Sequence, residues 1–259
     1  MPRLHLFEFH DLPWFPGAWR DVITDVLRVF SIHANPYRPV YPLLLDALKE
    51  SRSEAILDLC SGGSGPWEDL QGWLKQAGLD LPVLLTDKYP HRRAIQQVWN
   101  QEGIRYLEEA VDAMDVPDHL GGFRTLFASF HHFRPAEAQR ILQDAVAAGS
   151  GIAIMEFTGW TWRWFFASLF SPFFFWVASP FVLRPFTWRH FVWIYLLPFP
   201  LLFTVWDSLV SGLRTHSPGE LEAMVRFPGS ETYEWKIGEC TSKDTRACRV
   251  TYLIGIPRG

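Results

Sequence analysis

The sequence predicts an α/β fold in which helices flank a mostly parallel sheet. Between residues 54 and 157, short apolar runs of strand length alternate with helical segments. Three of these runs lead into acidic residues, and a loop rich in glycine and serine follows the first of them. Strands that alternate with helices are typical of βαβ units, which place successive strands parallel in one sheet.

The first apolar run begins at Ile56 and reaches Asp58, after which the glycine-rich loop follows. A loop without bulky side chains lets backbone N–H groups approach a ligand closely, and Pro66 suits the first position of the next helix. The loop therefore indicates a nucleotide-like cofactor, although tight turns also use glycine for conformation alone. Its candidate contact residues are Cys60, Ser61, Gly62, Gly63, Ser64 and Gly65.

Acidic residues also follow the next two apolar runs. Residues 81–87 read as a second buried strand that ends in Asp87, 29 residues after Asp58. A ribose-binding carboxylate lies at such a position in a βαβ unit. The third run, residues 104–110, leads into an acidic loop that contains Asp112. Chance explains three acids at three successive strand ends poorly.

Two classes of cofactor use a site of this kind. The dinucleotide fingerprint Gly-x-Gly-x-x-Gly holds a pyrophosphate anion at a helix N-terminus. Here Asp58 precedes the loop, so its carboxylate would repel an anion and favour a cationic ligand.

The order of Asp58, the glycine-rich loop, Asp87 and Asp112 closely resembles that of the class I S-adenosylmethionine-dependent methyltransferases. The resemblance implies S-adenosylmethionine as the cofactor. It places Asp58 near the methionine ammonium, Asp87 on the ribose hydroxyls and Asp112 at the adenine amino group. Cys60 and Ser64 depart from the family pattern, because the commonest family loop has glycine there. The other cofactor contacts that it implies are Lys88, Ala113, Met114 and Ser129.

The resemblance covers the chain from about residue 54 to residue 257, apart from one inserted block. Five βα-type units and a C-terminal hairpin match the seven-stranded Rossmann-like methyltransferase sandwich, which has the strand order 3-2-1-4-5-7-6 and an antiparallel last strand. The later elements expected are strands over residues 124–130, 152–157, 233–240 and 248–256 and a helix over residues 135–148.

The same resemblance points to candidate catalytic residues. A hydroxyl, amine or thiol acceptor needs a base close to the transferred methyl group. His131 and His132 follow the predicted fourth strand, which faces the methyl group in this family, and imidazole titrates in the useful range. Adjacent residues of an extended chain point in opposite directions, so we expect one of the two to face the site. Glu156, at the end of the fifth strand, is the second candidate; alternatively, all three only line the pocket. No metal site is predicted.

An aromatic insertion follows the fifth strand. Residues 160–206 contain 19 of the 41 aromatic residues of the chain, and no Asp or Glu occurs from Phe157 to Trp206. The uncharged run over residues 164–183 is nominally long enough to span a bilayer, but we expect Pro172 and Pro180 to break it. The polar residues Asp207, Ser208, Ser211, Arg214 and His216 come next, and we expect them to form a solvated joint.

The insertion predicts a membrane-associated helical hairpin. If both runs crossed the bilayer, the joint with Arg184 and Arg189 would lie on the far side, against the positive-inside tendency. A hairpin in the cytoplasmic leaflet keeps these arginines and Arg163 near anionic head groups. We therefore expect a monotopic or peripheral protein on the cytoplasmic face of a membrane. A spanning hairpin, a cap over the active site and a homodimer interface are the alternatives.

The N-terminal region contains a predicted amphipathic helix, and helices in this position commonly form a lid in the family. Four regions are expected: a helical lid (residues 1–52), the cofactor-binding core (53–158), the aromatic insertion (159–207) and the C-terminal part of the core (208–259). The apolar face of the helix consists of Trp19, Val22, Ile23, Val26, Leu27 and Phe30.

The predicted function is transfer of a methyl group to a lipophilic or membrane-resident small molecule. A net charge of -4 gives no basic surface, which argues against nucleic acid as a partner. Two alternatives are open. One is a methyltransferase that acts on a soluble small molecule and uses the insertion as a lid or dimer interface. The other is a non-catalytic, cofactor-binding scaffold at the membrane.

Overall fold

The computed structural model of the protein describes residues 3–90, 92–183, 185–241 and 249–258. Arg184 and Cys248, which the sequence-based predictions include, lie outside these ranges. The strands are β1 (Ile56–Asp58), β2 (Val83–Asp87), β3 (Ile104–Ala110), β4 (Phe123–Phe127), β5 (Ile152–Glu156), β6 (Tyr233–Thr241) and β7 (Arg249–Pro257). The helices are α1 (Gly17–Ala34), α2 (Tyr41–Glu50), α3 (Trp67–Gln76), α4 (Arg92–Val98), α5 (Pro135–Ala147), α6 (Trp162–Val182), α7 (Trp188–Phe191), α8 (Phe199–Arg214) and α9 (Pro218–Met224).

The strands form one sheet in the order β3-β2-β1-β4-β5-β7-β6. Strands β1 to β5 are parallel, and β7 runs antiparallel between β5 and β6. This arrangement confirms the predicted fold class and strand order. Strand β4 ends earlier than expected, because the chain turns at Ala128, which has a φ of 45°.

Both faces of the sheet are buried, because successive side chains of a strand point to opposite sides. Ile56 belongs to a cluster that contains residues of α2, α3 and α4. The next residue, Leu57, belongs to a second cluster with residues of α5 and α9. The near-continuous apolar runs in the sequence therefore reflect burial on two sides.

The chain divides into two compact units. The sheet unit comprises Pro36–Phe157 and His216–Gly259, and it contains every strand listed above together with α2 to α5 and α9. The helical unit comprises Met1–Asn35 and Thr158–Thr215, and it contains α1 and α6 to α8. The lid role of the N-terminal residues stays a prediction.

Within the helical unit, α1 packs against the aromatic segment. Val22, Val26 and Val29 of α1 share a buried cluster with Phe175 of α6 and Leu201 of α8. Helix α7 continues into a π-helical turn, Val192–Leu196, before the chain bends into α8. In the described part of the chain, Trp162–Phe181 is one helix long and apolar enough to cross a membrane. The pair Trp188–Leu196 and Phe199–Arg214, bent by 72°, is a second candidate if both parts count as one span.

The expectation that Pro172 and Pro180 break the hydrophobic run is wrong, since α6 is continuous through both. Each proline lacks the N–H group that would bond to the carbonyl four residues earlier. Other groups supply those hydrogen bonds. The Ser171 hydroxyl donates to the carbonyl of Ser168, and the Tyr195 hydroxyl donates to the carbonyl of Trp176, both at 2.8 Å.

The expected solvated joint after the insertion is also wrong. Asp207, Ser211 and Arg214 are buried in the helical unit, where the N-terminal segment covers them. His216 is buried in the sheet unit, with its ring 5.5 Å from that of Phe130.

Candidate cofactor and catalytic site

The loop after β1 turns through residues with positive φ angles. These angles are 57° at Cys60, 48° at Gly62, 83° at Ser64 and 53° at Gly65. Cys60 and Ser64 thus adopt the left-handed conformation that glycine favours, at a cost of about 1–2 kcal/mol for each non-glycine residue.

Asp58 is buried at the end of β1 between two hydroxyl groups. Thr125 Oγ1 donates to Asp58 Oδ1, and Ser61 Oγ donates to Asp58 Oδ2, each at 2.6 Å. Burial raises the pKa of Asp58 to about 7, although both hydrogen bonds act to lower it. A cationic ligand beside this carboxyl group would favour its charged form.

Asp87 connects the end of β2 to the glycine-rich loop. Its Oδ2 accepts a hydrogen bond from the Gly62 N–H at 2.9 Å, and its Oδ1 accepts one from the Tyr89 N–H at 2.8 Å. Tyr106 on β3 holds the same part of the loop, because its hydroxyl donates to the Gly62 carbonyl at 3.0 Å. Sequence reasoning missed Tyr106 and Thr125, since both occupy buried strand positions that no motif marks.

Asp112 lies in the loop after β3 and accepts two hydrogen bonds. Lys88 Nζ donates to Oδ2 at 2.8 Å, and the Met114 N–H donates to Oδ1 at 3.0 Å. Partial burial acts to raise the pKa of Asp112, but the bonds from Lys88 and Met114 hold it below its usual range. Lys88 therefore acts on this part of the site through Asp112.

The predicted cofactor residues come together at the carboxyl ends of the parallel strands. Burial raises the pKa of the Cys60 thiol, and the charges of Asp87, Asp58 and Asp112 raise it further. All three acids therefore lie close enough to the loop to affect the same thiol. The remaining candidates, Gly63, Ala113 and Ser129, lie in the loops that follow β1, β3 and β4.

His131 and Glu156 form a buried pair at the ends of the neighbouring strands β4 and β5. His131 Nδ1 lies 2.7 Å from Glu156 Oε2. Glu156 Oε1 accepts hydrogen bonds from the N–H groups of Phe130 at 2.7 Å and His131 at 3.2 Å. Burial opposes charge on Glu156, but the His131 ring, the nearby His132 ring and the His131 N–H hold its pKa below the usual range. The ionised carboxylate favours a proton on Nδ1, which makes Nε2 the basic nitrogen of His131.

His132 lies beside His131. Both residues belong to the 3₁₀ turn Phe130–His132, and their ring centroids are 4.3 Å apart. The expectation that their side chains point in opposite directions is therefore wrong. It assumed an extended chain, whereas the strand has already ended at Phe127.

Tyr37 packs at the same edge of the sheet. Its ring centroid is 5.0 Å from that of Phe127 and 5.4 Å from that of Phe157. Burial raises the pKa of Tyr37, and the charges of Glu156 and Asp58 raise it further. Tyr37 thus lies within electrostatic range of both the first acid and the His131–Glu156 pair.

No family model and no curated protein sequence matches the chain. Solved structures, however, share its fold. PigF with SAH (S-adenosylhomocysteine) has 16% identity and a TM-score of 0.52, over 92% of this chain and 62% of PigF. Human N-acetylserotonin methyltransferase in complex with SAM (S-adenosylmethionine) has 12% identity and a TM-score of 0.50, over 91% of this chain and 57% of the human protein.

A Rhodobacter sphaeroides protein that carries the name Zn-dependent alcohol dehydrogenase has 13% identity and a TM-score of 0.51, over 92% of this chain and 98% of that one. Together with the strand order, the likeness to PigF and to the human methyltransferase shows that the chain has the fold of the class I S-adenosylmethionine-dependent methyltransferases. The chain spans about three fifths of the length of each of these two proteins. Because one fold supports several reactions, the chemistry of the site must indicate the reaction.

The raised pKa of Asp58 predicts how the stability of the ligand-free protein depends on pH. The folded protein holds this proton more tightly than the unfolded chain, since the pKa rises from 3.8 to about 7. Stability should therefore fall as the pH rises between these values. We expect the wild type to lose on the order of 2 kcal/mol more than Asp58→Asn between pH 5 and pH 8 in urea unfolding. Asp80→Asn, at an exposed acid, is the control; parallel curves for wild type and Asp58→Asn would contradict the assignment.

Proposed function

We propose that the protein transfers a methyl group from S-adenosylmethionine to a lipophilic acceptor at a membrane surface. The observation that carries the cofactor assignment is that Asp58, Asp87 and Asp112 lie at or just after the ends of three neighbouring parallel strands, and that Asp58 and Asp87 are hydrogen-bonded to Ser61 and Gly62 of the glycine-rich loop. A dinucleotide would bring a pyrophosphate anion next to these carboxylates, which is electrostatically unfavourable. The cationic methionine end of S-adenosylmethionine is attracted by the same charges.

Each acid has a role that fits its surroundings. Asp58 would bind the ammonium group, and this cation would favour the charged form of a carboxyl group that burial disfavours. Asp87, held by the Gly62 and Tyr89 N–H groups, would take the ribose hydroxyls. Asp112 and the backbone at Met114 would meet the adenine amino group.

His131 is the proposed general base. When bound, S-adenosylmethionine supplies an electrophilic methyl group on a sulfonium. His131 Nε2 would accept the proton of a hydroxyl, amine or thiol acceptor, so that the acceptor's lone pair could form the bond to the methyl carbon while the carbon–sulfur bond breaks and its electron pair stays on the sulfur. Glu156 remains ionised, orients the imidazole through Nδ1 and stabilises the imidazolium that forms. Glu156 is therefore a positioning residue.

The packing of the helical unit supports the membrane part of the proposal. In α6, the small polar residues Ser168 and Ser179 are buried, whereas Phe173 and Phe174 are 68% and 62% exposed. A water-exposed helix shows the opposite distribution. Small and polar residues at the contacts between helices, with large apolar residues outside, are typical of helices that lipid surrounds.

Several polar groups inside the helical unit have hydrogen-bond partners within it. Ser168 and Ser208 hydroxyls lie 2.7 Å apart, and the Trp164 indole N–H donates to the Ser208 carbonyl at 2.8 Å. The carbonyls freed by the two prolines of α6 also accept hydrogen bonds, as described above. Such pairing matters most in lipid, where no water replaces a missing partner.

Charge supports the same interpretation and favours an anionic surface. The exposed cations Arg163 and Arg189 each follow an exposed tryptophan, at the beginnings of α6 and α7. Tryptophan and arginine at these positions suit the interface between head groups and acyl chains. An enzyme that docks on the cytoplasmic leaflet meets acceptors that partition into the bilayer, which is why we infer a lipophilic acceptor.

Loss of the Asp87 carboxylate tests the cofactor assignment. We expect the wild type to bind S-adenosylmethionine in calorimetry and Asp87→Ala to bind it at least about tenfold more weakly, because charge-assisted hydrogen bonds to ribose are lost. Glu108→Ala, which removes an exposed acid on β3, should leave the affinity unchanged. Equal affinities for wild type and Asp87→Ala would contradict the assignment.

Replacement of His131 tests the proposed base. With methyl-labelled S-adenosylmethionine and a membrane lipid extract, we expect organic-extractable label from wild type and roughly 10²–10⁴-fold less from His131→Ala. Glu156→Gln should lose less, because Nε2 remains. Cofactor affinity should be unchanged in both, and exposed His119→Ala is the activity control. If His131→Ala transferred the methyl group at the wild-type rate, the proposed role of His131 as general base would be contradicted, whereas the cofactor assignment would be unaffected.

Charged substitutions in α6 test membrane association. We expect the wild type to float with vesicles that contain anionic lipid. The double substitution Phe173→Glu with Phe174→Glu should reduce the partition coefficient at least about tenfold, because burial of each phenylalanine side chain in lipid contributes about 1.5–3 kcal/mol to binding. Trp99→Glu, which replaces a residue of the sheet unit that is 76% exposed, is the matched control. A wild type that stays with the unbound fraction would contradict the proposal.

A further inference from the structure

The N-terminal segment forms part of the helical unit. Residues 3–16, here called the strap, run along α8 and are joined to it by backbone groups. The Leu4 N–H donates to the Leu213 carbonyl at 3.0 Å. The Phe7 carbonyl accepts from the Trp206 indole N–H at 2.9 Å, and the Leu6 carbonyl accepts from Arg214 Nε at 2.6 Å.

Buried charged residues of α8 strengthen this attachment. Asp207 accepts hydrogen bonds from the N–H groups of Phe9 and His10, at 2.7 and 3.0 Å. Arg214 Nη1 pairs with Glu8 at 3.2 Å and with Asp11 at 2.7 Å. The ionisable side chains of α8 therefore point toward the strap. The exposed residues of α8 are apolar: Phe199, Leu202 and Trp206.

The strap adds to this apolar surface. Phe7 is 50% exposed and its ring centroid lies 5.4 Å from that of Trp206, which is itself exposed. Trp14 is 68% exposed. The apolar surface of α8 thus continues onto the strap, where Glu8 is buried and the partly exposed Asp11 is paired with Arg214.

Helix α1 presents a different surface. Its apolar face, which includes Val22 and Val26, is buried. The ionisable residues Asp21 and Arg28 lie on other faces of the helix and are partly exposed, whereas Arg20 donates to the His10 and Leu12 carbonyls of the strap. Ionisable groups at such positions belong in water or at the head groups rather than in hydrocarbon.

We propose that the strap and the segment from α6 to α8 together form one lipid-facing surface. We further propose that the helical unit lies in a single leaflet, with the face of α1 that carries Asp21 and Arg28 toward water. Phe7 and Trp14 enter the interface beside Leu202 and Trp206, while Glu8, Asp207 and Arg214, which hold the strap, stay buried beneath it. The proposal rests on the membrane association proposed above. It assigns the N-terminal residues to lipid contact, a role that is distinct from a lid.

Vesicle flotation with phosphatidylcholine and phosphatidylglycerol tests this arrangement. Phe7→Glu with Trp14→Glu should lower the partition coefficient at least about tenfold, since both side chains leave the lipid. Leu27→Glu replaces a residue of the predicted apolar face of α1 that is in fact 44% exposed and lies outside the buried cluster, and it should bind like the wild type. Wild-type binding by the strap variant would overturn the proposal. An equal loss in Leu27→Glu would overturn the single-leaflet arrangement.

The same measurements separate this proposal from the one on which it depends. A wild type that does not float disproves membrane association itself. A wild type that floats and is sensitive to Phe173→Glu with Phe174→Glu, but insensitive to the strap variant, disproves only the role of the strap. If the strap substitutions dissociate a dimer in light scattering and leave flotation unchanged, the surface binds a second copy and the proposal fails.

A buried substitution tests how the strap is held. Asp207→Ala removes the acceptor of the Phe9 and His10 N–H groups without touching an exposed apolar residue. It should lower the partition coefficient, and combining it with the strap substitutions should add little, because both act through the same segment. Fully additive losses would overturn the role of Asp207. If thermal melting shows that Asp207→Ala does not fold, the exposed strap variant decides alone.

Discussion

The site depends on one constraint, which is the burial of the Asp58 carboxyl group at the end of a central parallel strand. Ser61 and Thr125 hold both of its oxygens, so its position is fixed by the loop and by β4 together. The same loop is held from β2 by Asp87 and from β3 by Tyr106. Four neighbouring strands thus determine where a ligand of this loop would lie, and the ligand meets a preformed set of groups.

A second constraint organises the helical unit, where large apolar side chains outnumber the positions inside. Ser168 of α6 and Ser208 of α8 bring these two helices into close contact. This close contact is incompatible with burying every phenylalanine and tryptophan of α6 to α8 between the helices. Ser168 and Ser179 therefore lie in the interior, whereas most of the aromatic residues of α6 lie on the surface. This distribution is unfavourable in water and favourable in lipid, which is the physical basis of the membrane association proposed above.

The sequence was sufficient where function depends on local pattern. The strands and the acids after β1, β2 and β3 follow from apolar runs and from the loop motif, and the strand order follows from the resemblance to the methyltransferase family. The failures have non-local causes. Tyr195 supplies the hydrogen bond that Pro180 removes from α6. Arg214 is buried by residues some 200 positions earlier in the chain. Ala128 ends β4 through an uncommon left-handed φ, which places His131 and His132 side by side.

Comparison of the buried acids indicates what kind of ligand completes the site. Glu156 pairs with His131, Asp25 with His190 and Glu8 with Arg214. Asp58 is as deeply buried as these, yet its hydrogen bonds come from neutral hydroxyl groups, and no basic side chain of the described residues forms an ion pair with it. A buried carboxylate is stabilised by a cation, and the ligand of the loop is the remaining source of one. Electrostatics, more than the glycine content of the loop, therefore favours a cationic adenosyl cofactor over a pyrophosphate.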